Sequence, residues 1–324
     1  MPAPATDRAR ALVVANPIAG ATTPEMLDAV RLRCAERIRD VATAWTDGPD
    51  AGVGIVERAL VEARRAGDPL DLVVVAGGDG TVREAAEGIA RAAGAWPDGG
   101  AGEPPALLVI PSGSGNSAYR ALWGERPWEE MVDAALAPGG ARLRVLDLAR
   151  VVEDDRAALL GYNVGLLARI AQLLQANRGA TGVDRHQAAI GQAVEELAAY
   201  PHRVTVDDEL LYEGPTMLTT VGGVGRFGKG TFLVLPRSEL DDGLLDVCVI
   251  GEVAREQFGE FAMLLMNGEH IGRPEVRYAQ GRRVRIERLD GEPLVAEYDG
   301  DPRPAGPAAT IEAVPAGFGA LAPL

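Results

Sequence analysis

Two glycine-rich segments carry the residues of this chain that are best suited to chemistry. The first, Gly77-Gly78-Asp79-Gly80-Thr81, directly follows the apolar run Leu72 to Ala76, which is typical of a buried strand. Its adjacent glycines allow a sharp turn and leave backbone N–H groups open to a phosphate. Asp79 adds a carboxylate that suits a magnesium ion or a transferred proton. The alternative is a tight strand-to-helix turn with an ordinary N-cap, since so short a motif is weakly specific.

The second glycine-rich segment, Pro111-Ser112-Gly113-Ser114-Gly115-Asn116, follows another apolar run, Ala106 to Ile110. Its glycines again suit the close approach of a ligand to the backbone. Ser114 either contacts that ligand or serves only as the N-cap of the following helix. The two segments together indicate a phosphate site built from two loops.

Acidic residues in three other segments are further candidates. Asp299-Gly300-Asp301 follows an apolar run, and an Asp-Gly pair in that position is most often a hairpin turn. Glu239 to Asp246 has the composition of an acidic turn between strands, and Asp147 lies between two leucines, where it could cap a strand end. A longer glycine-rich run, residues 222–230, is either a lid or hinge, or an ordinary long loop.

Other catalytic classes find no support in the sequence. The three histidines, at 186, 202 and 270, lack the spacing of a zinc site or a catalytic triad. No Gly-x-Ser-x-Gly motif is present, which removes the usual esterase interpretation. Cys34 and Cys248 both lie in apolar patterns typical of buried thiols, so we expect a reducing cytoplasm.

The elements that must position the first two loops alternate between strand and helix. Besides the two apolar runs already named, Leu12 to Ala15 and Val41 to Trp45 are typical of strands. Thr23 and Asp50 stand where helix N-caps are expected, and a third helix is predicted from about Thr81. This alternation predicts an open, mostly parallel α/β sheet, which binds ligands at the carboxyl ends of its strands.

Beyond Pro138-Gly139-Gly140 strand patterns dominate, which predicts a β-rich second domain. Helices are expected only near residues 185–199 and 254–266. The predicted strands in this part and at the end of the chain are 144–151, 159–163, 202–206, 217–221, 231–235, 245–250, 284–287, 294–298 and 310–314.

Bulk composition limits the function classes. With 324 residues, of which 47% are hydrophobic, the chain is long enough for two domains. Its net charge of −15 argues against nucleic acid as a partner and against electrostatic adhesion to anionic lipid. No apolar stretch approaches the ~20 residues of a membrane span, so we expect a soluble protein.

Several separated segments resemble one known family. Asn16-Pro17, residues 77–81, residues 112–116, Asp241 to Asp246 and residues 299–301 are similar, in order and spacing, to the diacylglycerol kinase catalytic family, which also includes sphingosine and ceramide kinases. The first glycine motif alone is shared with NAD kinases. The resemblance implies an NAD-kinase-like, nucleotide-binding α/β domain, residues 1–140, and a C-terminal β-sandwich-like domain, residues 141–304. It also implies that residues 305–324 return to the first domain.

The resemblance implies specific roles in phosphoryl transfer from ATP. It places Gly77, Gly78, Gly80 and Thr81 at the nucleotide phosphates, together with Ser114, and places Asn16 and Thr46 at the outer side of the nucleotide. Asn116 is expected to tie the second loop to the first. Asp79 is expected to take part in metal-linked catalysis. The loop after Asn16 carries no lysine or arginine where many relatives have one, so phosphate charge must be neutralised elsewhere.

Two further sites follow from the same resemblance. The family has a glutamate, its proposed general base, where this chain has Asp301. The carboxylate is one methylene shorter, so either Asp301 acts from a closer backbone, Asp299 takes the role, or the site is weakened. A structural Mg²⁺ is implied at the carboxylate of Asp242 and the backbone carbonyls of Glu239 and Leu244, which are hard oxygen ligands. Asp147 matches another family acid.

The sequence therefore predicts an ATP- and Mg²⁺-dependent kinase that phosphorylates a lipid hydroxyl, as on diacylglycerol or a sphingoid base. The alternatives are a kinase of a soluble acceptor such as NAD, and an inactive relative that only binds nucleotide or lipid. We expect a cytoplasmic protein that meets its lipid at a membrane or micelle surface. The sequence leaves a homodimer open.

Overall fold

The computed structural model describes residues 9–100, 104–177, 184–228 and 230–324. The chain divides into two compact units, residues 1–148 with 314–324, and residues 149–313. The sequence placed the boundaries after residues 140 and 304, at Gly- and Pro-rich turns. The structure places them inside strands, because strand β5 (Arg142–Val151) begins in the first unit and strand β17 (Ala308–Ala322) begins in the second.

The first unit alternates strands and helices as predicted. Its strands, besides the shared β5 and β17, are β1 (Arg10–Ala15), β2 (Asp40–Trp45), β3 (Leu72–Gly77) and β4 (Ala106–Pro111). Its helices are α1 (Pro24–Ala35), α2 (Ala51–Arg65), α3 (Asp79–Ala93), α4 (Ser117–Trp123) and α5 (Trp128–Leu136).

The sheet of the first unit is parallel, in the order β2-β1-β3-β4-β17. Every residue of β3 is buried, as expected for a central strand with helices on both faces. The strand order reverses between β1 and β3, and the crevice outside the carboxyl ends of two such strands is where open α/β sheets bind ligands. Asn16 and Gly78 directly follow these two strands, so the topology places both at this point.

The two predicted N-caps behave differently. Thr23 caps α1, since its Oγ1 accepts the N–H of Met26 at 3.2 Å and Pro24 occupies the first helical position. Asp50 stands before α2 but makes no capping bond with its side chain, so its predicted role was wrong. Its backbone is left-handed, with φ of +60°, and its carboxylate accepts from the buried guanidinium of Arg83 at 2.8 Å. Glu84 from α3 accepts the Gly52 N–H in its place.

The second unit is β-rich, with more helix than the sequence indicated. Its strands, besides the shared ones, are β6 (Arg156–Ala158), β7 (Tyr162–Gly165), β8 (Tyr200–Val206), β9 (Glu209–Gly222), β10 (Arg226–Phe227), β11 (Phe232–Leu233), β12 (Leu245–Gly251), β13 (Val276–Gly281), β14 (Arg283–Arg288), β15 (Ala296–Tyr298) and β16 (Asp301–Arg303). Its helices are α6 (Leu166–Ala176), α7 (Asp184–Glu195) and α8 (Phe258–Asn267).

Antiparallel pairing builds this unit, in the order β16-β15-β7-β9-β8-β14, with β12 also beside β9 and β13 beside β12. One face of the sheet forms a hydrophobic core that includes Tyr162, Val221, Val247 and Ile286. Strand β10 lies within the glycine-rich run 222–230 and forms a small separate hairpin with β11, and residue 229 lies outside the described residues.

Three predicted strands of this unit differ from the structure. Residues 159–161 form a turn rather than strand, because their N–H groups bond a carboxylate instead of a neighbouring strand. Of residues 231–235 only β11 is strand, and of residues 294–298 only β15. Helix α6 was not predicted, although Leu167, Ala171 and Leu174 recur at helical spacing. Among the helices of the described ranges, none has the length and apolar content to cross a bilayer.

Candidate active site

The first glycine loop connects β3 to α3 and contacts Asn16, the residue that follows β1. Helix α3 begins at Asp79, two residues before the predicted start. The Nδ2 of Asn16 donates to Thr81 Oγ1 at 3.0 Å, and the Oδ1 of Asn16 accepts the N–H of Ile18. A Cβ at Gly77 would lie 2.5 Å from the Cβ of Thr81, so a side chain at Gly77 would displace this contact. The structure therefore brings Asn16, Gly77 and Thr81 together, and their roles at the nucleotide stay a prediction.

The second glycine loop packs directly on the first, backbone against backbone. A Cβ at Gly113 would lie 2.3 Å from the Cα of Gly78, closer than real Cβ contacts allow. The N–H of Ser112 donates to the carbonyl of Gly77 at 3.1 Å. Glycine is thus needed at 113 because the neighbouring atom is backbone, which cannot rotate away.

Asp79 links the two loops through its side chain. Its carboxylate accepts the N–H groups of Ser117 at 3.1 Å and Ala118 at 2.9 Å, at the start of α4. Burial raises the pKa of Asp79, and these backbone bonds oppose that rise. We expected Asn116 to make the link, but its amide bonds the N–H and carbonyl of Gly113, within its own loop. A carboxylate offers about four acceptor sites, so Asp79 retains capacity for a further ligand.

Three other predicted residues are Ser114 and Gly80, which lie in the loops, and Thr46, which follows β2. Ser114 is exposed, and α4 begins only at Ser117, so the interpretation of Ser114 as an N-cap was wrong. No described protein atom lies within 4 Å of where a Cβ would stand at Gly80, so Gly80 faces open space. Thr46 is buried directly after β2, and its N–H donates to Ala15 at 2.9 Å.

Arg120 supplies a positive charge that the sequence interpretation missed. Its guanidinium donates to the carbonyl of Gly115 at 2.5 Å and pairs with Glu125 at 2.7 Å. The same charge acts to lower the pKa of Asp79, so Arg120 lies within electrostatic reach of the loops. Its position one helical turn after Asn116 was the available signal, since a helix returns residues i and i+4 to one face.

The segment Asp299-Gly300-Asp301 is the turn of the β15–β16 hairpin. Tyr298 pairs with Asp301, and φ is +56° at Asp299 and +82° at Gly300. Positive φ at both central residues defines a type I′ turn, for which Asp-Gly is a favoured sequence. The hairpin interpretation is therefore confirmed for this segment.

The two acids of this turn have different surroundings. The carboxylate of Asp299 accepts the N–H groups of Leu159, Leu160 and Gly161 at 2.7 to 3.3 Å. The side chain of Asp301 is 43% exposed and pairs with Arg303 at 3.1 Å. Since Asp299 holds a neighbouring turn and Asp301 faces outward, Asp301 is the better placed to meet a substrate.

A third acid beside this turn, Glu297, belongs to none of the predicted motifs. It is 4% exposed, and its carboxyl accepts from Asn163 Nδ2 and from the Gly300 N–H, each at 2.6 Å. Burial, assisted by the nearby charges of Asp299 and Asp301, raises the pKa of Glu297 to about 8, while the bonds from Gly300 and Asn163 oppose that rise. The signal in the sequence was an acid inside the apolar run Leu294 to Tyr298.

The acidic segment of residues 239–246 gathers negative charge at one place. Asp242 Oδ1 accepts the N–H of Leu244 at 2.9 Å. Asp246 is buried and accepts from the Tyr278 hydroxyl at 2.5 Å. Burial raises the pKa of Asp246, and the charges of Asp242 and Glu239 add to the rise. In the described ranges no group of three His, Cys, Asp or Glu side chains has the arrangement of a metal site.

Asp147 has a structural partner in the first unit. Its Oδ1 accepts the N–H of Ala316 at 2.7 Å, and Ala316 has a left-handed backbone with φ of +51°. Asp147 thus holds a left-handed residue inside β17, and since both residues lie within strands, Asp147 does not cap a strand end through this bond.

Comparison with known proteins agrees with this arrangement. Residues 10–151 match the family described as "Diacylglycerol kinase catalytic domain", and residues 162–322 match "YegS C-terminal NAD kinase beta sandwich-like domain". The diacylglycerol kinase of Bacillus subtilis (strain 168) is 28% identical over 77% of this chain and 78% of its own length. The "Probable lipid kinase YegS-like" protein of Stenotrophomonas maltophilia (strain K279a) is 30% identical over 81% of this chain and 80% of its own.

A solved structure supports the fold itself. A diacylglycerol kinase of Bacillus anthracis str. Sterne superposes with a TM-score of 0.65, at 18% identity, over 96% of each chain. Relatives named diacylglycerol kinase and lipid kinase, which match both the α/β unit and the antiparallel unit, place the chain in the class of kinases with an alcohol group as acceptor. Within that class, the chain belongs to the diacylglycerol kinase catalytic-domain family of lipid kinases.

Proposed function

We propose that this enzyme transfers the γ-phosphoryl group of ATP to a hydroxyl of a lipid such as diacylglycerol or a sphingoid base. The observation that carries the proposal is the pair of glycine loops at the carboxyl ends of β3 and β4, packed together and braced by Asp79. Phosphoryl transfer needs mainly positioning and charge neutralisation, which rigid loops with accessible N–H groups supply. Relatives described as diacylglycerol kinases support the acceptor class.

Nucleotide phosphates are assigned to the first unit. Backbone N–H groups of Gly78 and Gly80 face the phosphates at the start of the 15-residue helix α3, whose dipole favours negative charge. Ser114 approaches from the exposed tip of the second loop. Arg120 provides the cation that the loop after Asn16 lacks. Asn16, Thr46, Thr81 and Asn116 shape the loops around the nucleotide.

Proton removal is assigned to Asp301. In the proposed step the lipid hydroxyl oxygen attacks the γ-phosphorus, the bond from that phosphorus to the ADP oxygen breaks, and the hydroxyl proton passes to the Asp301 carboxylate. Its exposure and its position next to a fixed turn fit the role, since a base must reach the hydroxyl directly or through one water. Asp299, the alternative base, is engaged by three backbone N–H groups.

Magnesium fits two sets of residues. Near Asp242, the carboxylates of Glu239 and Asp246 add negative charge to an acidic turn, and a hard divalent cation would offset that charge. The carboxylate of Asp242 and the carbonyls of Glu239 and Leu244 would hold it there. Asp79, which retains acceptor capacity, would hold a second ion, and Mg²⁺ bound there would neutralise phosphate charge.

We assign this chemistry to the cytoplasm, where ATP is available, with the lipid presented at a membrane or micelle surface. Transfer of labelled γ-phosphate from ATP and Mg²⁺ to lipids in mixed micelles, run beside free NAD, tests the proposal. We expect a chloroform-soluble labelled product that depends on the micelle. Labelled NADP in detergent-free buffer would replace the lipid kinase with a kinase of a soluble acceptor.

The variants for this assay are chosen by their contacts. Asp301→Asn should lower transfer by about 10²- to 10⁴-fold while ATP binding persists, because no nucleotide contact is assigned to Asp301. Asp133→Asn is the matched control, since it removes an exposed carboxylate that pairs only with Arg33 among the ion pairs of the described residues. Binding of ATP without transfer to any acceptor would favour a nucleotide-binding relative that has lost catalysis.

A further inference from the structure

Glu297 lies on β15, just before the turn that leads to Asp301. Its carboxyl makes hydrogen bonds with the turn and with the neighbouring strand β7. One oxygen accepts the N–H of Gly300, and the other accepts from Asn163 on β7. Both donor-to-acceptor distances are 2.6 Å, at the short end for N–H···O bonds. A fully desolvated side chain with both oxygens engaged holds its partners in one arrangement.

The contact with Gly300 holds the turn in one conformation. Asp299 and Gly300 both have positive φ, which few residues other than glycine, asparagine and aspartate adopt. Two side chains hold this conformation from opposite ends, Asp299 through residues 159–161 and Glu297 through Gly300. Asp301 is the next residue along the chain, so the position of its carboxylate depends on both.

The support extends across three strands. Glu297 pairs in register with Asn163, and Asn163 pairs with Thr220 on β9. The Thr220 hydroxyl donates to Asn163 Oδ1 at 2.8 Å, and all three residues are buried. Because directly opposite residues share a face of the sheet, these side chains form one continuous row. The turn is thereby anchored to rigid strands.

The charged groups around Glu297 include two acids of its own hairpin, Asp299 and Asp301. On the same hairpin Arg303 pairs with Asp301. The titratable side chain contributed by β7 is the Tyr162 phenol. Helix α6, which packs against β15 and β16, carries a single charged residue, Arg169, and its guanidinium pairs with Glu196. An ionised Glu297 would thus add a third negative charge beside two carboxylates.

We propose that Glu297 is a positioning residue for the reaction, which fixes the turn through Gly300 so that the Asp301 carboxylate is held where it can accept the substrate proton. This inference rests on the proposed function, in which Asp301 is the base. It adds a residue that acts through the turn and does not itself touch the substrate. A shift of about 1 Å in a catalytic group costs on the order of 100-fold in rate, so a loosened turn should be visible in kcat.

The test compares Glu297→Ala, Glu297→Gln and the control Glu292→Gln, which changes an exposed acid just before β15. For each variant kcat with lipid, KM for ATP, the pH–rate profile and amide hydrogen exchange at Gly300 are measured. For Glu297→Ala we expect kcat to fall on the order of 10- to 100-fold with KM for ATP within about twofold, and Gly300 exchange to accelerate. Gln keeps the shape and one acceptor, so Glu297→Gln should retain kcat within about threefold at pH 7.

The pH profile separates positioning from mere stability. Wild-type kcat should decline as pH rises past about 8, where Glu297 ionises beside Asp299 and Asp301, and Glu297→Gln should lack this decline. Unchanged kcat in Glu297→Ala, unchanged Gly300 exchange, or equal alkaline declines in wild type and Glu297→Gln would each overturn the inference. A wild type that transfers no phosphate overturns the proposed function instead, and Gly300 exchange then decides the positioning alone.

Discussion

The Asp-Gly pair at 79 and 80 and the Asp-Gly pair at 299 and 300 have unlike backbones, a helix start and a hairpin turn. Their aspartates nevertheless make the same kind of contact. Asp79 accepts N–H groups at the start of α4, and Asp299 accepts N–H groups of residues 159–161. In each motif the aspartate braces a segment that is distant in sequence.

The difference lies in what else holds each motif. The first is fixed by glycine sterics, with Gly113 against Gly78, and leaves backbone N–H groups as its functional atoms. The second has no comparable glycine contact at Gly300 among the described atoms and is fixed by the buried Glu297. Its functional atom is the side chain of Asp301. In both motifs the aspartate therefore has a structural role, and the atoms proposed to act in the reaction belong to neighbouring residues.

The largest effect should come from Gly113→Ala in the first loop. The added Cβ would stand 2.3 Å from the Cα of Gly78, and overpacking against backbone costs on the order of 1–3 kcal/mol or more. We expect a clear fall in Tm and loss of phosphoryl transfer, measured by thermal unfolding and by the labelled-ATP assay.

Gly80→Ala is the matched control, because its Cβ would meet no described atom. Its Tm should stay within about 2 °C of wild type. Its affinity for ATP should fall, since the methyl would stand where the phosphates approach. Equal losses of Tm in both variants would contradict the steric account of the first loop.

The second prediction compares substitutions of the two acids of the hairpin, Asp299 and Asp301. Asp301→Asn should lower kcat by about 10²- to 10⁴-fold, the range for loss of a general base, with stability changed by less than about 0.5 kcal/mol. Asp299→Ala should instead destabilise the protein by about 1–3 kcal/mol, because buried N–H groups of the 159–161 turn lose their acceptor. Urea unfolding and steady-state kinetics on both variants check this. A large kcat loss without destabilisation in Asp299→Ala would make Asp299 the base.

Sequence patterns predicted the parallel α/β unit closely because β1, β3 and β4 are runs of buried residues separated by helical patterns. Thr23 shows the success, since its capping bond is local. Asp50 shows the limit, because its carboxylate accepts a hydrogen bond from Arg83, which is 33 residues away in the sequence. Local patterns cannot reveal such distant partners.

The same limit explains what was missed at the site. Asn16 and Thr81, both predicted to lie at the nucleotide, are in contact because the topology of a parallel sheet brings the ends of β1 and β3 together. Glu297 was missed because its partners, Asn163 and Thr220, lie on other strands, and only their register places them in one row.

A third prediction concerns the pH dependence of stability at Glu297. Above the ordinary pKa of 4.5 the unfolded chain loses this proton, whereas the folded protein keeps it up to about pH 8. The folded state then binds more protons, so the free energy of unfolding falls as pH rises through this window. The glutamine of Glu297→Gln has no carboxyl proton, so it does not contribute this pH dependence.

Urea unfolding of wild type and Glu297→Gln at pH 5 and pH 8 measures this difference. Relative to the variant, wild type should lose more than about 1 kcal/mol between the two pH values, given about 1.4 kcal/mol per pKa unit. Asp79 should show the same direction, since burial raises its pKa as well. A constant difference between the two proteins would show that Glu297 is ionised throughout this pH range and that its burial in the hairpin does not raise its pKa.

The smallest effect should come from Asp147, which extends the comparison to an aspartate outside both motifs. Asp147 Oδ1 accepts the N–H of Ala316, whose φ of +51° is unfavourable for alanine. Asp147→Ala should cost on the order of 1 kcal/mol, the usual contribution of one such bond, with kcat within about twofold of wild type. Urea unfolding and the lipid phosphorylation assay measure the two quantities, and Ala316→Gly in the same background should recover part of the stability by relieving the left-handed strain. A kcat loss above about tenfold with normal stability would instead place Asp147 among the functional acids, and bracing would then not be the general use of aspartate in this chain.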